Sequence, residues 1–319
     1  MRRVTRGLAA LVLALSTAAC SGAADNTPPP KPRLEKDTIK VGVMPTTDVA
    51  PLYLALLKGY FEQEGLTVEP VTVTGSGAAV PQVISGFLDL AQTDYVTSFL
   101  AGSHDVPVKV VGALAQAGPN TFGLVARKGA KIESVEDLKG KKIAVNNLNG
   151  IATLTVTAML RDAGLKAGDV KFVEMPFPEM PARVAARKAD AAWVAQPFLT
   201  QGERSGQLRR VTDPFADRIA DMPVSGWMAS APWAKENPNT LAAFQRAIAK
   251  AQQLATGNPK EVEAVLPMYI KIDRETAAKT SLGAYPTAID PQRLQRLVDL
   301  MRQNGHLKRP LDVKTVLAP

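Results

Sequence analysis

Between Ile39 and Tyr95 the spacing of apolar residues changes period several times, and each change marks an element. Ile39-Lys-Val-Gly-Val-Met44 alternates apolar with small or polar residues, Pro45-Thr-Thr-Asp48 interrupts it, and Tyr53, Leu54, Leu57 and Phe61 then recur at helical spacing. Gly65-Leu66 ends that helix, Thr67 to Thr74 reads as a second strand, and Gly75-Ser76-Gly77 opens a second helix that ends near Gly86. Leu88-Asp-Leu-Ala-Gln-Thr-Asp94 is a third, short strand. Strands alternating with helices predict a mostly parallel sheet, and such sheets bind ligands at the carboxyl ends of their strands. The candidate binding loops are therefore Thr46, Thr47 and Asp48; Gly75, Ser76 and Gly77; and Thr93, Asp94 and Tyr95.

The same succession returns about one hundred residues later. After strands at Lys109 to Leu114 and Thr121 to Arg127, and a short helix through Leu138 with Ser134 as its cap, Lys142-Ile-Ala-Val145 reads as a strand and Asn146 to Gly150 as a polar loop. Ile151 to Ala163 follows as a helix, closed by Gly164-Leu165 as Gly65-Leu66 closes the first. Val170 to Glu174 is a strand, Pro178 to Lys188 a helix, and Ala189-Asp-Ala-Ala-Trp-Val194 a short strand ending at Gln196-Pro197. Asp89 and Asp190 occupy matching places before small-residue strands. A repeat this long is half a domain rather than a solenoid period, so it predicts two similar α/β lobes.

Val224 to Ala229 is a last strand, and the remainder reads as helices: Asn239 to Ala255, one from Pro259, one from Asp273 to Thr280, and one from Asp290-Pro291 with Leu294, Leu297, Val298 and Met301 as its apolar stripe. A helical tail supplies no third sheet and is expected to pack on the first lobe. The 319 residues also exceed what one core of common size needs.

Composition adds less. Hydrophobic content of 46% and charged content of 21% are globular values. The net charge is +8, of which Arg2, Arg3 and Arg6 supply three, leaving +5 when they are removed. The other basic residues sit in short, scattered clusters (Arg209-Arg210, Lys139 to Lys142, Lys308-Arg309) and read as solvated surface, so no nucleic-acid partner is expected. Those three arginines precede an apolar run from Leu8 to Leu15 and small residues up to Ala19, the arrangement of a secretory signal. The run is shorter than the ~20 residues that cross a bilayer. Cys20 is the only cysteine, which excludes an intramolecular disulfide and a multi-cysteine metal site. Its place after Thr-Ala-Ala resembles a bacterial lipobox, in which the cysteine carries the lipid; ordinary cleavage beside an incidental cysteine is the alternative. A Pro-rich stretch to about Lys36 reads as a flexible tether.

Ile39-Lys-Val-Gly-Val, Tyr53 with Leu57-Lys-Gly-Tyr-Phe61, Glu64-Gly-Leu, Gly86 with Leu88-Asp-Leu-Ala, and Ala189-Asp-Ala-Ala with Gln196-Pro197 together resemble the solute-binding proteins of ABC importers. More narrowly they are similar to the NMT1/THI5-like branch, which serves nitrate, alkanesulfonates, taurine and thiamine pyrimidine precursors. The resemblance implies a two-lobed periplasmic binding protein-like fold of type II, two crossovers near Ala115 to Asn120 and Asp221 to Ser225, and a ligand closed between the lobes by hinge motion. It divides the chain into a signal (1–19), a tether (20–37), the first part of lobe 1 (38–115), lobe 2 with the crossovers (116–223), and the return strand and C-terminal helices of lobe 1 (224–319). It also implies a small-molecule ligand, a membrane permease as partner, a monomer, and an exported chain tethered by lipid to the outer face of the membrane.

Helices beginning after Thr47, Gly75, Tyr95 and Asn149 would aim free N–H groups at such a cleft, which favours anionic or strongly polar ligand groups. Asn147, Asn149, Gly150 and Gln196 form the second wall, Asn120 contributes from the crossover, and Tyr95 and Trp227 either stack on an organic ligand or belong to the core. Asp48 and Asp94 complicate an anion-only ligand. If they face the cleft, the ligand carries an amine, amidine or ring N–H; if they cap helices, they carry no information on charge. No catalytic residue, cofactor or metal is expected: His104 and His306 stand alone beside turn residues, and neither a nucleophile elbow nor a Walker loop occurs. A tethered sensor or adaptor on the same fold is the alternative function.

Overall fold

In the computed structural model, residues 32–216 and 219–318 are described. The signal segment 1–19 and Cys20 lie outside them. Two five-stranded sheets, each flanked by helices, account for the fold.

The first sheet takes β1 (Thr38–Val43), β2 (Thr67–Thr72), β3 (Leu90–Asp94), β4 (Val108–Gln116) and, from much later in the chain, β10 (Pro223–Ser230). Its order is β2-β1-β3-β10-β4. β1 runs parallel to β2 and β3, while β10 lies antiparallel between β3 and β4, so every strand but β10 points the same way. The second sheet repeats this with β5 (Phe122–Arg127), β6 (Lys142–Val145), β7 (Lys171–Glu174), β8 (Ala191–Ala195) and β9 (Leu208–Thr212) in the order β7-β6-β8-β5-β9, with β5 as the inserted antiparallel strand. Each inserted strand is the first that the chain forms after crossing between sheets. The crossovers touch one another through Ala117 N–H donating to the Met222 carbonyl at 3.0 Å.

The sequence repeat has a physical cause at both of its signatures. Asp89 precedes β3 and its Oδ2 accepts the Lys40 N–H of β1 at 2.8 Å; Asp190 precedes β8 and accepts the Lys142 N–H of β6 at 2.8 Å. Both aspartates also donate their own N–H to the same residue's carbonyl. Each carboxylate thus fixes the register at which a central strand enters its sheet. Gly65 and Gly164 sit at φ +73° and +75°, in the left-handed region that glycine adopts without cost, and let Leu66 and Leu165 bond back to Phe61 and Leu160.

The helices are α1 (Ala50–Leu57), α2 (Tyr60–Gln63), α3 (Ser76–Ile84), α4 (Tyr95–Ser103), α5 (Ile151–Asp162), α6 (Met180–Ala185), α7 (Phe198–Arg204), α8 (Ala231–Glu236), α9 (Pro238–Gly257), α10 (Pro259–Tyr269), α11 (Arg274–Lys279) and α12 (Pro291–Gln303). The stripe from Tyr53 to Phe61 is split. Gly59 at φ +66° ends α1, which leaves Leu57 53% exposed while Phe61, on α2, is fully buried against Phe244 of α9 at 5.7 Å. Ser134 does not cap the turn before Leu138. Asp137 gathers that turn instead, accepting from the N–H groups of Glu133 and Ser134.

The tail packs on the first lobe through α9 and α10 against α1, and it also reaches the second: Arg204 of α7 pairs with Glu275 of α11 at 2.7 Å, and Arg161 of α5 donates to the Gln303 carbonyl of α12 at 3.2 Å. Residues 33–36, expected in the flexible tether, are fixed. Glu35 accepts the N–H groups of Asn239 and Thr240 and so caps α9 from outside the helix, and Lys36 pairs with Asp89 at 2.7 Å.

Asp89 is nearly buried and serves both Lys40 and Lys36, whereas Asp190 is exposed. Asp89→Ala is expected to cost about 1–3 kcal/mol in urea denaturation, as the Lys40 N–H and the Lys36 ammonium both lose a buried acceptor, and Asp190→Ala less than about 1 kcal/mol. Equal losses at the two positions would show that burial does not set the strength of this device.

Candidate functional site

The carboxyl ends of the two sheets face each other, and the loops there meet. On the first lobe β1 runs out at Met44, whose N–H donates to Gln92 Oε1 of β3 at 2.7 Å. The chain then turns through Thr46 and Thr47, both buried, into a short 3-10 turn Thr47–Val49 and on into α1. The turn is held from the C-terminal tail. The Tyr269 hydroxyl donates to the Thr46 carbonyl at 2.9 Å and the Tyr285 hydroxyl to the Thr47 carbonyl at 3.0 Å, while Tyr53 lies flat on Tyr269 with ring centroids 3.9 Å apart.

Asp48 follows. It caps nothing; the residue before its turn is Thr46, and no side chain caps that end. Its Oδ2 accepts the Ser225 hydroxyl at 2.8 Å, and no cation pairs with it among the described residues. Burial pushes the carboxyl up to about 6 against 3.8 for a free one, the Ser225 hydrogen bond pulling the other way. The side chain keeps part of its surface in water, which moderates the rise.

Asp94 is different, because it has a structural task on each lobe. Its Oδ1 accepts the Thr97 N–H of α4 at 2.9 Å and also the Ile151 N–H, the first residue of α5 on the other lobe, at 3.2 Å; its Oδ2 accepts the Thr97 hydroxyl at 2.6 Å. One carboxylate therefore caps two helices, and α5 has no cap of its own, since Gly150 precedes it. Burial raises the pKa of Asp94, opposed by these hydrogen bonds.

The second wall closes around this point. Asn147 Nδ2 donates to Thr97 Oγ1 at 2.8 Å across the lobes, and its Oδ1 accepts the Asn149 N–H at 3.1 Å. The Thr47 N–H donates to the Gln196 carbonyl at 3.3 Å, a further bond between lobes. Two glycines permit the approach. A Cβ on Gly75 would lie 2.6 Å from the Asn146 carbonyl oxygen, and one on Gly150 would lie 3.1 Å from Asp94 Oδ2.

Thr46, Thr47, Asp48, Gly75, Ser76, Gly77, Asp94, Asn147, Asn149, Gly150 and Gln196 thus converge where the lobes meet. Ser76 is fully buried and takes the Asp94 N–H on its hydroxyl at 2.9 Å, and Gly77 lies against Asn147. The remaining candidates are not brought there by their side chains. Thr93 pairs its hydroxyl with Ser98 at 2.8 Å inside the first lobe. Tyr95 is buried against Phe99 and Gly226, and Trp227 is buried edge-on to Phe244 with centroids 5.2 Å apart; strand alternation points it to the helix-covered face of the sheet. Asn120 sits exposed at the crossover, with its side chain bonded to Arg210 and its carbonyl to Gln196 Nε2.

Sequence reasoning missed Tyr269, Tyr285, Ser225 and Thr97. The two tyrosines come from the tail, more than 220 residues from the loop they hold, where no local pattern announces the contact.

Residues 46–262 match the sequence model of a family described as NMT1/THI5 like. The riboflavin-binding protein RibY of Chloroflexus aurantiacus is 26% identical over 94% of this chain and 89% of its own length. The taurine-binding periplasmic protein of Escherichia coli is 26% identical over 70% of this chain and 69% of its own. Among solved structures, the alkanesulfonate-binding protein SsuA of Xanthomonas axonopodis pv. citri, bound to MOPS, aligns with a TM-score of 0.77 over 90% of this chain and 99% of that one at 16% identity, a likeness of fold.

The raised Asp48 pKa makes this carboxyl a liability at neutral pH. Below about pH 4 the folded and unfolded chains are both protonated there; as the pH rises to about 6 the unfolded chain ionises first, and stability falls. Two pKa units bound the effect at about 3 kcal/mol, and residual solvation brings it to about 1–2 kcal/mol. Asp48→Asn is expected to gain that much stability relative to the parent between pH 4 and pH 7.5, read from urea denaturation at both. Parallel pH dependence in the two proteins would show that the carboxyl is not desolvated.

Proposed function

Because the chain belongs to the NMT1/THI5-like family, we propose that it is the extracytoplasmic solute-binding component of an ABC importer. It takes a small polar solute between its lobes and hands it to a permease in the membrane. The observation that carries this reading is the pair of facing loop walls, joined across the lobes at Asp94, Asn147 and Thr47, with only two crossovers linking the sheets. Such a connection lets two rigid bodies rotate about a short hinge, and a solute that touches both walls favours the closed arrangement by its extra contacts.

The solute classes are those of the branch: a sulfonate, taurine, nitrate or a thiamine pyrimidine precursor. Relatives that bear the names riboflavin-binding and taurine-binding support a range that spans heterocycles and sulfonates. The binding residues are those of the two walls. The basic, apolar and small-residue leader with Cys20 supports export and a lipid tether on the outer face of the membrane, and the protein acts as a monomer.

The reading is one of binding without turnover, which the relatives named as riboflavin-binding and taurine-binding proteins support.

Calorimetry and thermal shift with taurine, alkanesulfonates, nitrate, hydroxymethylpyrimidine analogues and riboflavin-like heterocycles test the reading. One class is expected to bind with one-to-one stoichiometry and to be recovered unchanged. Consumption of a bound compound by the purified protein would defeat it.

A further inference from the structure

We propose that Asp48 is the specificity-determining residue of the interlobe cleft, and that the solute it selects presents an N–H donor, as an amine, an amidine or a ring N–H, rather than an oxyanion alone. The proposal rests on the solute-binding reading of the cleft and narrows its ligand class.

Three observations carry it. First, the position best suited to an anion is already filled by the chain itself. The N-terminus of α5 offers its first N–H toward the cleft, and Asp94 accepts it. Second, the walls hold no cation. The segments that build them (44–48, 73–77, 92–97, 146–153, 195–198 and 225–227) contain no Lys, Arg or His, and neither do the tyrosines that buttress them. Guanidinium groups on the flanking elements are engaged elsewhere: Arg161 by the Gln303 carbonyl and Asp162, Arg204 by Glu275, and Arg210 by Glu203 and Asn120. A bare oxyanion would enter a site with two carboxylates and no counter-charge, which is unfavourable at any low dielectric constant.

Third, Asp48 is not explained by the fold. Asp94 caps two helices, and Asp89 and Asp190 set strand register, but Asp48 neither caps nor pairs. Around it stand the Ser225 hydroxyl, which orients its Oδ2, and the phenols of Tyr285, buried, and Tyr269, partly buried; each phenol spends its proton on a backbone carbonyl. A partly buried carboxylate held by one hydroxyl, with no cation beside it and an acceptor oxygen to spare, is what a site for a hydrogen-bond donor retains. The flat Tyr53–Tyr269 pair beside it adds an aromatic flank.

Matched probes that differ only in the donor test this: taurine against isethionate, the aminopyrimidine alcohol of thiamine against its methoxy counterpart, and riboflavin against its N3-methyl derivative, with nitrate as the bare oxyanion. Affinities are measured by calorimetry for the parent and for Asp48→Asn, which keeps shape and an acceptor but removes the charge. In the pair that binds, the parent is expected to prefer the N–H member at least tenfold. Asp48→Asn is expected to lose about tenfold or more of the affinity for a charged donor, with little change for the partner lacking it. The parent comparison does not depend on the variant's folding. Equal binding of both members of a pair, or tight binding of nitrate or isethionate unaffected by Asp48→Asn, would overturn the role of Asp48 and leave solute binding standing. Failure of every probe to bind would overturn both.

Discussion

The Asp94 carboxylate is the point on which the arrangement of the two lobes depends. It sits at the carboxyl end of β3, caps α4 within its own lobe and caps α5 in the other, and Thr97 beside it takes the Asn147 amide from the second wall. Burial raises the pKa of this carboxyl, and the helix N-termini from both lobes that converge on it oppose the rise through their N–H groups. Close approach then becomes a requirement, which Gly75 and Gly150 meet by presenting no Cβ where the backbone and side chains of the opposite wall pass. The cleft is thus built by chemistry at the strand ends, while each lobe's own core lies behind it.

Behind that cleft is a duplicated plan. Each half places an aspartate before a short central strand and uses its carboxylate to pin a backbone N–H of the neighbouring parallel strand; each closes a helix with a left-handed glycine followed by a leucine. These devices keep the loops at the strand ends in equivalent positions, so two walls arise from one recipe. The lobes diverge in what else holds the loops. In the first, the tail reaches back with Tyr269 and Tyr285 to fix the carbonyls of Thr46 and Thr47, so the helical tail is part of the binding wall as well as a cover for the first sheet.

Much of this was legible in the chain. Alternation and helical spacing locate the strands and most helices, and the repeat of Asp89 and Asp190 predicts two lobes. The family resemblance agrees with the fold and with the match over residues 46–262. What periodicity could not supply was side-chain direction on a sheet sandwiched between helices. Trp227 stands on an apolar strand and Tyr95 opens an apolar helix, so the sequence left core and cleft open for both; Trp227 packs against Phe244 and Tyr95 against Phe99. The two aspartates were likewise equivalent on paper. They separate only when their partners are known: Asp94 meets backbone N–H groups of two helices, Asp48 meets one hydroxyl. Tyr269, Tyr285 and the capping of α9 by Glu35 depend on contacts between distant segments, for which a single chain carries no local signal.

The two walls come together through direct contact at the ends of β1, β2, β3 and β6, with Gly75, past the end of β2, at the tightest passage. Gly75 has an extended backbone, so any residue adopts its conformation, and a side chain there acts as a wedge against the Asn146 carbonyl without straining its own lobe. Small-angle X-ray scattering of Gly75→Val beside the parent measures the consequence directly. The account predicts a larger radius of gyration for the variant, with the lobes held apart and unchanged far-ultraviolet circular dichroism. Superimposable scattering curves from the two folded proteins would contradict it.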